Sequence, residues 1–186
     1  MNELKAFQEL SKLKAVERLT KVKDRSESAA EHTWSCMVFA TYFAKKTKDQ
    51  INENKVMKLL LYHDIVEIKT GDIPELDWEG RQDKEKNERK AFEQFKDQLP
   101  KELYDEYSEC FEEFEAAETL EAKFAQAIDK LEPMIHQLDH KCDWRKYGYT
   151  QEVLWDKKGK YMEPFPALMN FYQKFIKHLM NNDYID

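Results

Sequence analysis

Between Leu59 and Ile68 an apolar run is broken by three ionisable side chains, His63, Asp64 and Glu67. Burying such groups costs several kcal/mol each unless something compensates, and a bound cation is the simplest compensation. Any fold this chain adopts must therefore bring ligands or counter-charges to this stretch. If the run is helical, His63 and Glu67 stand one turn apart on one face, and Asp64 lies about 100° around from His63. One ion could then meet both His63 and Asp64. Taken alone, the His-Asp pair fits a hydrogen-bonded core histidine beside a wet carboxylate equally well, so partners elsewhere in the chain decide between the two.

The rest of the chain favours helices. Only 4 Gly and 5 Pro interrupt 186 residues, and strand-like alternation is scarce, so an all-α bundle in a single domain spanning 1–186 is expected. A formal charge of -7 argues against a general nucleic-acid binder, because phosphate backbones recruit clustered Lys and Arg. Cys36, Cys110 and Cys142 are odd in number and far apart, and read as reduced packing groups. The N-terminal residues lack the apolar run of a signal peptide, and no later segment approaches membrane-spanning length. A cytoplasmic protein without membrane contact is expected.

Leu4, Phe7, Leu10, Leu13, Val16 and Leu19 recur at helical spacing and predict a helix over 3–19 with Arg18 at its end. The polar segment from Thr20 to Glu27 reads as a loop presenting Arg18 and Arg25. Ser28-Ala29-Ala30-Glu31 has the form of a capping box, so a second helix should start there. Its inner face is expected to carry His32, Cys36, Phe39 and Phe43, widened by Trp34 and Val38. After a polar connection over 45–54, a third helix over 55–68 carries His63 and Asp64. Thr70-Gly71-Asp72-Ile73-Pro74 breaks it, and places Asp72 close to Glu67. A later apolar helix from Leu120 embeds Asp129 among Phe124, Ala127, Ile128 and Leu131. His136, His140 and His178 lie away from these candidates in the pattern.

The assembled set is His32, His63, Asp64 and Asp129, with Glu67 and Asp72 as extra acids nearby. Two imidazoles and two carboxylates suit a divalent cation, among which Mn, Co, Zn, Fe, Ni and Mg are not distinguished. The segments that carry this set are Ala30-Glu31-His32, Tyr62-His63-Asp64-Ile65-Val66-Glu67, Thr70-Gly71-Asp72-Ile73-Pro74 and Ala122 to Lys130. Over residues 10–140 they resemble the HD-domain metal-dependent phosphohydrolases, closest to the 5'-deoxynucleotidase branch.

The resemblance implies an HD-domain helical bundle, usually a homodimer, that removes phosphate from deoxyribonucleoside 5'-monophosphates. It implies that His32, His63, Asp64 and Asp129 hold the metal. Glu67 and Asp72 would contribute to catalysis or to a second ion, and Arg18 would grip the phosphate. The substrate would be met by Arg18, Leu19, His32, Asp64 and Asp129 and by the loop Asp72, Ile73, Pro74 and Glu75. Bacterial members carry tryptophan immediately after the arginine, where this chain has Leu19. On this reading Glu67 positions or deprotonates the attacking water. Two other readings share the sequence: an HD-type hydrolase of cyclic nucleotides or guanosine polyphosphates, and a non-catalytic helical interaction module with a structural metal.

Overall fold

Ser28 caps a helix as its sequence predicts. Its Oγ accepts from the Glu31 amide while the Glu31 carboxylate accepts from the Ser28 amide at 3.0 Å. This reciprocal cap, worth about 1 kcal/mol, starts helix α2 (Ala29–Ala44). The computed structural model describes residues 3–47 and 51–185, so part of the expected connection over 45–54 and the first two residues lie outside the described residues.

The chain upstream of Ser28 departs from expectation. Helix α1 covers only Glu3–Leu10, and a tight turn over Ser11–Ala15 leads into a hairpin of β1 (Glu17–Val22) and β2 (Arg25–Ser28). The two strands pair antiparallel, and Lys23 at the turn has φ 56°. A spacing of strictly three residues drifts around a helix, whereas Val16, Arg18, Thr20 and Val22 alternate with period 2 and turn inward. Arg18 is therefore a strand residue facing the interior, and Arg25 lies on the surface paired with Glu31.

Helix α3 (Glu53–Tyr62) also stops earlier than expected. Residues 63–66 pass through turns and a short helix α4 (Glu67–Thr70) follows. Amides of Ile65, Glu67, Ile68 and Lys69 bond carbonyls three residues back. At three residues per turn Asp64 and Glu67, not His63 and Glu67, share a side. Gly71 then takes φ 73°, which a side chain would resist, and ends the segment.

Helices α5 (Lys84–Gln94), α6 (Lys101–Ala116) and α7 (Leu120–His136) complete the bundle. The core forms where α2, α3 and α6 pack around α7. Ala122, Ala125 and Ala127 let neighbouring backbones approach α7, and Phe124, Ile128 and Leu131 fill the remaining space, all fully buried. Each large side chain so placed contributes about 1.5–3 kcal/mol. On α2, His32, Cys36 and Phe43 face this core and Phe39 is half-buried, but Trp34 and Val38 are 68% and 48% exposed. They do not widen the inner face; they lie on the opposite side of the helix. Cys36 and Cys110 are buried free thiols, whereas Cys142 is exposed and not a packing group.

The C-terminal segment runs through α8 (Lys141–Lys146), α9 (Gln151–Leu154), a wide turn over Trp155–Gly159, α10 (Lys160–Met162) and α11 (Pro166–Asn181). A Cβ on Gly159 would stand 2.5 Å from the Trp155 ring and 2.9 Å from the Tyr172 hydroxyl. Only glycine permits this approach, and the wide turn directs Lys158 inward until it is buried.

Candidate metal centre

Three elements meet at one point. Helix α2 brings His32, the turns after α3 bring His63 and Asp64, and α7 brings Asp129. His32 Nε2 lies 3.0 Å from Asp129 Oδ1 and 3.9 Å from Asp64 Oδ2. His63 Nε2 lies 3.2 Å from Asp64 Oδ1 and 3.7 Å from Asp129 Oδ1. Atoms of His32, Cys36, His63 and Asp129 all lie within 4.8 Å of one another, close enough to share one first-row ion, and Asp64 borders them, meeting His63 through Oδ1 and His32 through Oδ2.

The ring tautomers test whether a cation fits. His63 Nδ1 donates to the Leu60 carbonyl at 2.7 Å, so Nε2 of the neutral ring carries its lone pair. That buried lone pair faces carboxylate oxygens and has no hydrogen-bond partner. Oxygen and nitrogen lone pairs repel, and a cation between them turns the repulsion into coordination. His32 is held the same way, with Nδ1 donating to Glu132 Oε2 at 2.7 Å. A ligand histidine whose other nitrogen donates to a carbonyl or carboxylate is the usual support of a metal site. The Sγ of Cys36 also comes within 3.5 Å of His32 Nε2, and burial pushes its pKa up to about 12 as long as no metal cation stands beside it.

Charge around the point is unbalanced. Arg18 Nη1 lies 3.3 Å from Asp64 Oδ2 and 3.2 Å from Asp72 Oδ1, while its Nε is 3.6 Å from the buried Glu27. Burial disfavours the guanidinium charge, yet Asp64, Asp72, Glu67 and Asp129 outweigh this and raise its pKa. Burial, with Asp64 and Asp72 alongside, pushes the Glu67 carboxyl up to about 9. Burial likewise raises Asp72. At Asp129 burial acts in the same direction, but Lys130 and the two histidines overcome it and hold the carboxyl well below its ordinary range. Asp64, Glu67, Asp72 and Asp129 thus draw mainly on Arg18 and Lys130 for compensating charge, with Lys84 acting on Glu67 and Asp72 as well. A divalent ion would supply the missing charge.

The centre opens into a cavity of about 500 Å³ lined by Arg18, Leu19, Glu67, Asp72, Ile73, Pro74 and Glu75 among others. Every residue expected at the site from the sequence is therefore at the centre or on its cavity wall. One expectation fails: His136 is not remote. Its Nδ1 lies 3.7 Å from Glu27 Oε1 and 3.9 Å from Glu132 Oε1, so it stands behind both Arg18 and His32. Sequence reasoning missed Glu27, Glu132, Lys130 and Lys158. Glu132 was findable as an acid embedded in the apolar pattern of α7, three residues beyond Asp129.

A family model described as HD domain matches residues 10–169. The chain belongs to the HD domain family. The HD domain match extends beyond residue 140, where the sequence resemblance faded, and takes in the segment that carries Lys158. The 5'-deoxynucleotidase HDDC2 of Bos taurus is 30% identical over 141 residues, 75% of this chain and 67% of the relative. The Homo sapiens HDDC2 is 29% identical over 140 residues, with the same shares covered. Among solved structures, a predicted metal-dependent phosphohydrolase from Magnetospirillum magnetotacticum MS-1 superposes with a TM-score of 0.87 at 32% identity, covering 98% of this chain and 93% of that one. An HD-domain phosphohydrolase from Listeria innocua shares the fold, with a TM-score of 0.70 at 20% identity over 100% of this chain and 92% of that one.

Proposed function

We propose that this HD domain protein is a metal-dependent phosphomonoesterase that releases phosphate from deoxyribonucleoside 5'-monophosphates. The observation that carries the reading is the buried, unpartnered His63 Nε2 facing Asp64 and Asp129 beside an arginine-lined cavity. The relatives named 5'-deoxynucleotidase support the substrate class. His32, His63, Asp64 and Asp129 hold the ion, and the two imidazoles favour Mn, Fe, Co, Ni or Zn over Mg. When bound, the ion polarises a phosphate oxygen and lowers the pKa of water.

The chain's own groups do the rest. Arg18 presents fork-shaped donors to the phosphate, exchanging its bonds to Asp64 and Asp72 for bonds to substrate oxygens. Glu67, whose Oε2 is buried and unpartnered, orients the attacking water and takes its proton once a bound cation offsets the burial and the Asp64 and Asp72 charges that raise its carboxyl. Asp72 stands next to it and steadies Arg18, or joins Glu67 in holding a second ion. Leu19, Ile73, Pro74 and Glu75 form the wall along which the nucleoside lies. A panel of nucleotides assayed for inorganic phosphate tests the reading. Phosphate from 5'-monophosphates supports it. Opening of cyclic nucleotides, or pyrophosphate from guanosine polyphosphates, with monophosphates untouched would replace it.

Arg18→Ala is expected to lower kcat/KM for the nucleotide while the metal content stays at its native level. Losing a charge-assisted contact of about 1.5–3 kcal/mol corresponds to roughly a ten- to hundredfold drop. An unchanged kcat/KM would remove Arg18 from the phosphate site.

The same reading includes a homodimer. On α2 the exposed Trp34, Val38 and Tyr42 recur every four residues and form an apolar stripe turned away from the core. Sedimentation at equilibrium reads this directly: twice the chain mass supports the dimer, and a monomer at micromolar concentration removes it.

A further inference from the structure

Lys130, which compensates the charge of Asp129, has no chemical role in the hydrolysis described above, yet it stands at the centre. Its Nζ donates to Asp129 Oδ2 at 3.0 Å, while Asp129 Oδ1 faces His32 and His63. One carboxylate thus separates its ammonium from the point where the ligands meet. The side chain lines the cavity and is only 27% exposed. Asp129 accepts one of its three N–H donors.

The groups around the centre fall on two sides. On the Asp64 side stand Glu67 and Asp72, acids suited to receiving a proton from water, with Arg18 paired to Asp64 and Asp72. On the Asp129 side stands Lys130, and behind it the cavity continues to Lys158, Glu75, Tyr149 and Tyr161. Lys158 Nζ pairs with Glu75 Oε2 at 3.0 Å. Displacement at phosphorus places the attacking and leaving oxygens roughly in line, on opposite sides. If water is activated beside Glu67, the ester oxygen departs on the Lys130 side, towards the stretch of cavity wall where Glu75 meets Lys158.

We propose that Lys130 is a catalytic residue that donates a hydrogen bond to the leaving ester oxygen. The inference rests on the phosphomonoesterase reading and adds to it the direction of the reaction. The water oxygen forms the new bond to phosphorus and gives one proton to Glu67. The phosphorus–ester oxygen bond breaks, and its electron pair stays on the alcohol oxygen. Lys130 stabilises that developing charge, and the oxygen then takes a proton from solvent, so that water and ester become alcohol and phosphate. A nucleoside 5'-oxygen is a poor leaving group and needs this support. A nitrophenolate ion is stable by itself and needs far less.

The test compares Lys130→Met with the unaltered protein on a deoxynucleoside 5'-monophosphate and on p-nitrophenyl phosphate, with metal content measured in both proteins. Loss of a donor aimed at developing charge is expected to lower kcat for the nucleotide by about 10²–10³-fold. The loss on p-nitrophenyl phosphate should be at least about tenfold smaller. Lys130→Arg, which keeps a positive donor, should recover part of the nucleotide activity. Equal losses on both substrates, no loss on either, or loss of metal from Lys130→Met would overturn the proposal, the last by showing that Lys130 acts through Asp129. If the unaltered protein hydrolyses neither ester, the phosphomonoesterase reading itself has failed and this inference falls with it.

Discussion

Asp64→Asn and Asp129→Asn, made separately, are each expected to strip the protein of metal and to reduce phosphate release to the background of the assay. Each change keeps the side-chain volume and removes an anionic ligand. Altering even an outer partner of a metal ligand costs roughly 10–100-fold in affinity, so a lost ligand should empty the site at micromolar metal. The fold should survive. Asp64 and Asp129 crowd with Glu67 and Asp72 around few cations, so removing one charge relieves repulsion, and the helical circular dichroism should stay near native. Cys36→Ser is the control, because its Sγ touches His32 while the proposed set of two histidines and two aspartates already supplies four ligands. It should keep its metal. Native metal content in either aspartate variant, or metal loss in the serine variant, would redraw the ligand set.

Glu67→Gln is expected to separate chemistry from metal binding. The four ligands remain, so the protein should still carry its ion, while kcat falls by about 10²-fold or more, the loss typical of a missing general base. The structure bears on this choice. Glu67 shares a side with Asp64 and not with His63, and its buried carboxylate stands among Asp64, Asp72 and Arg18. Simultaneous assay of metal and turnover reads the result. Persistent activity would pass the role to Asp72, and complete metal loss would make Glu67 a ligand.

The proposed metal ligands are legible in the sequence because each is an ionisable residue set in an apolar helical pattern, where burial demands compensation. Asp129 among Phe124, Ile128 and Leu131 is the plainest case. The hairpin was not read, because Leu13, Val16 and Leu19 satisfy a helical spacing that α1 abandons after Leu10. The alternation of Val16, Arg18, Thr20 and Val22 carried the better signal. Helix α3 was extended too far for a related reason: the apolar run is continuous through Ile68, and nothing local announces the turns at His63 to Val66. Tertiary demand decides there, since those turns aim both His63 and Asp64 at one point. Lys130 and Lys158 were hidden by type. A lysine in a helical pattern reads as solvated surface, and only the packing of Gly159 against Trp155 and Tyr172 turns Lys158 inward.

Phosphate release from a nucleotide should depend on the ion held by His32, His63, Asp64 and Asp129, a dependence open to direct measurement. Its most direct test is elemental analysis and phosphate release on one preparation, before chelation, after chelation and after restoring a single divalent metal. Stoichiometric metal with turnover of a deoxynucleoside 5'-monophosphate, loss of both on chelation, and recovery of both together when metal returns are expected. Phosphate release that continues in the metal-free protein, or a fully loaded protein that releases none from any 5'-monophosphate, would contradict it.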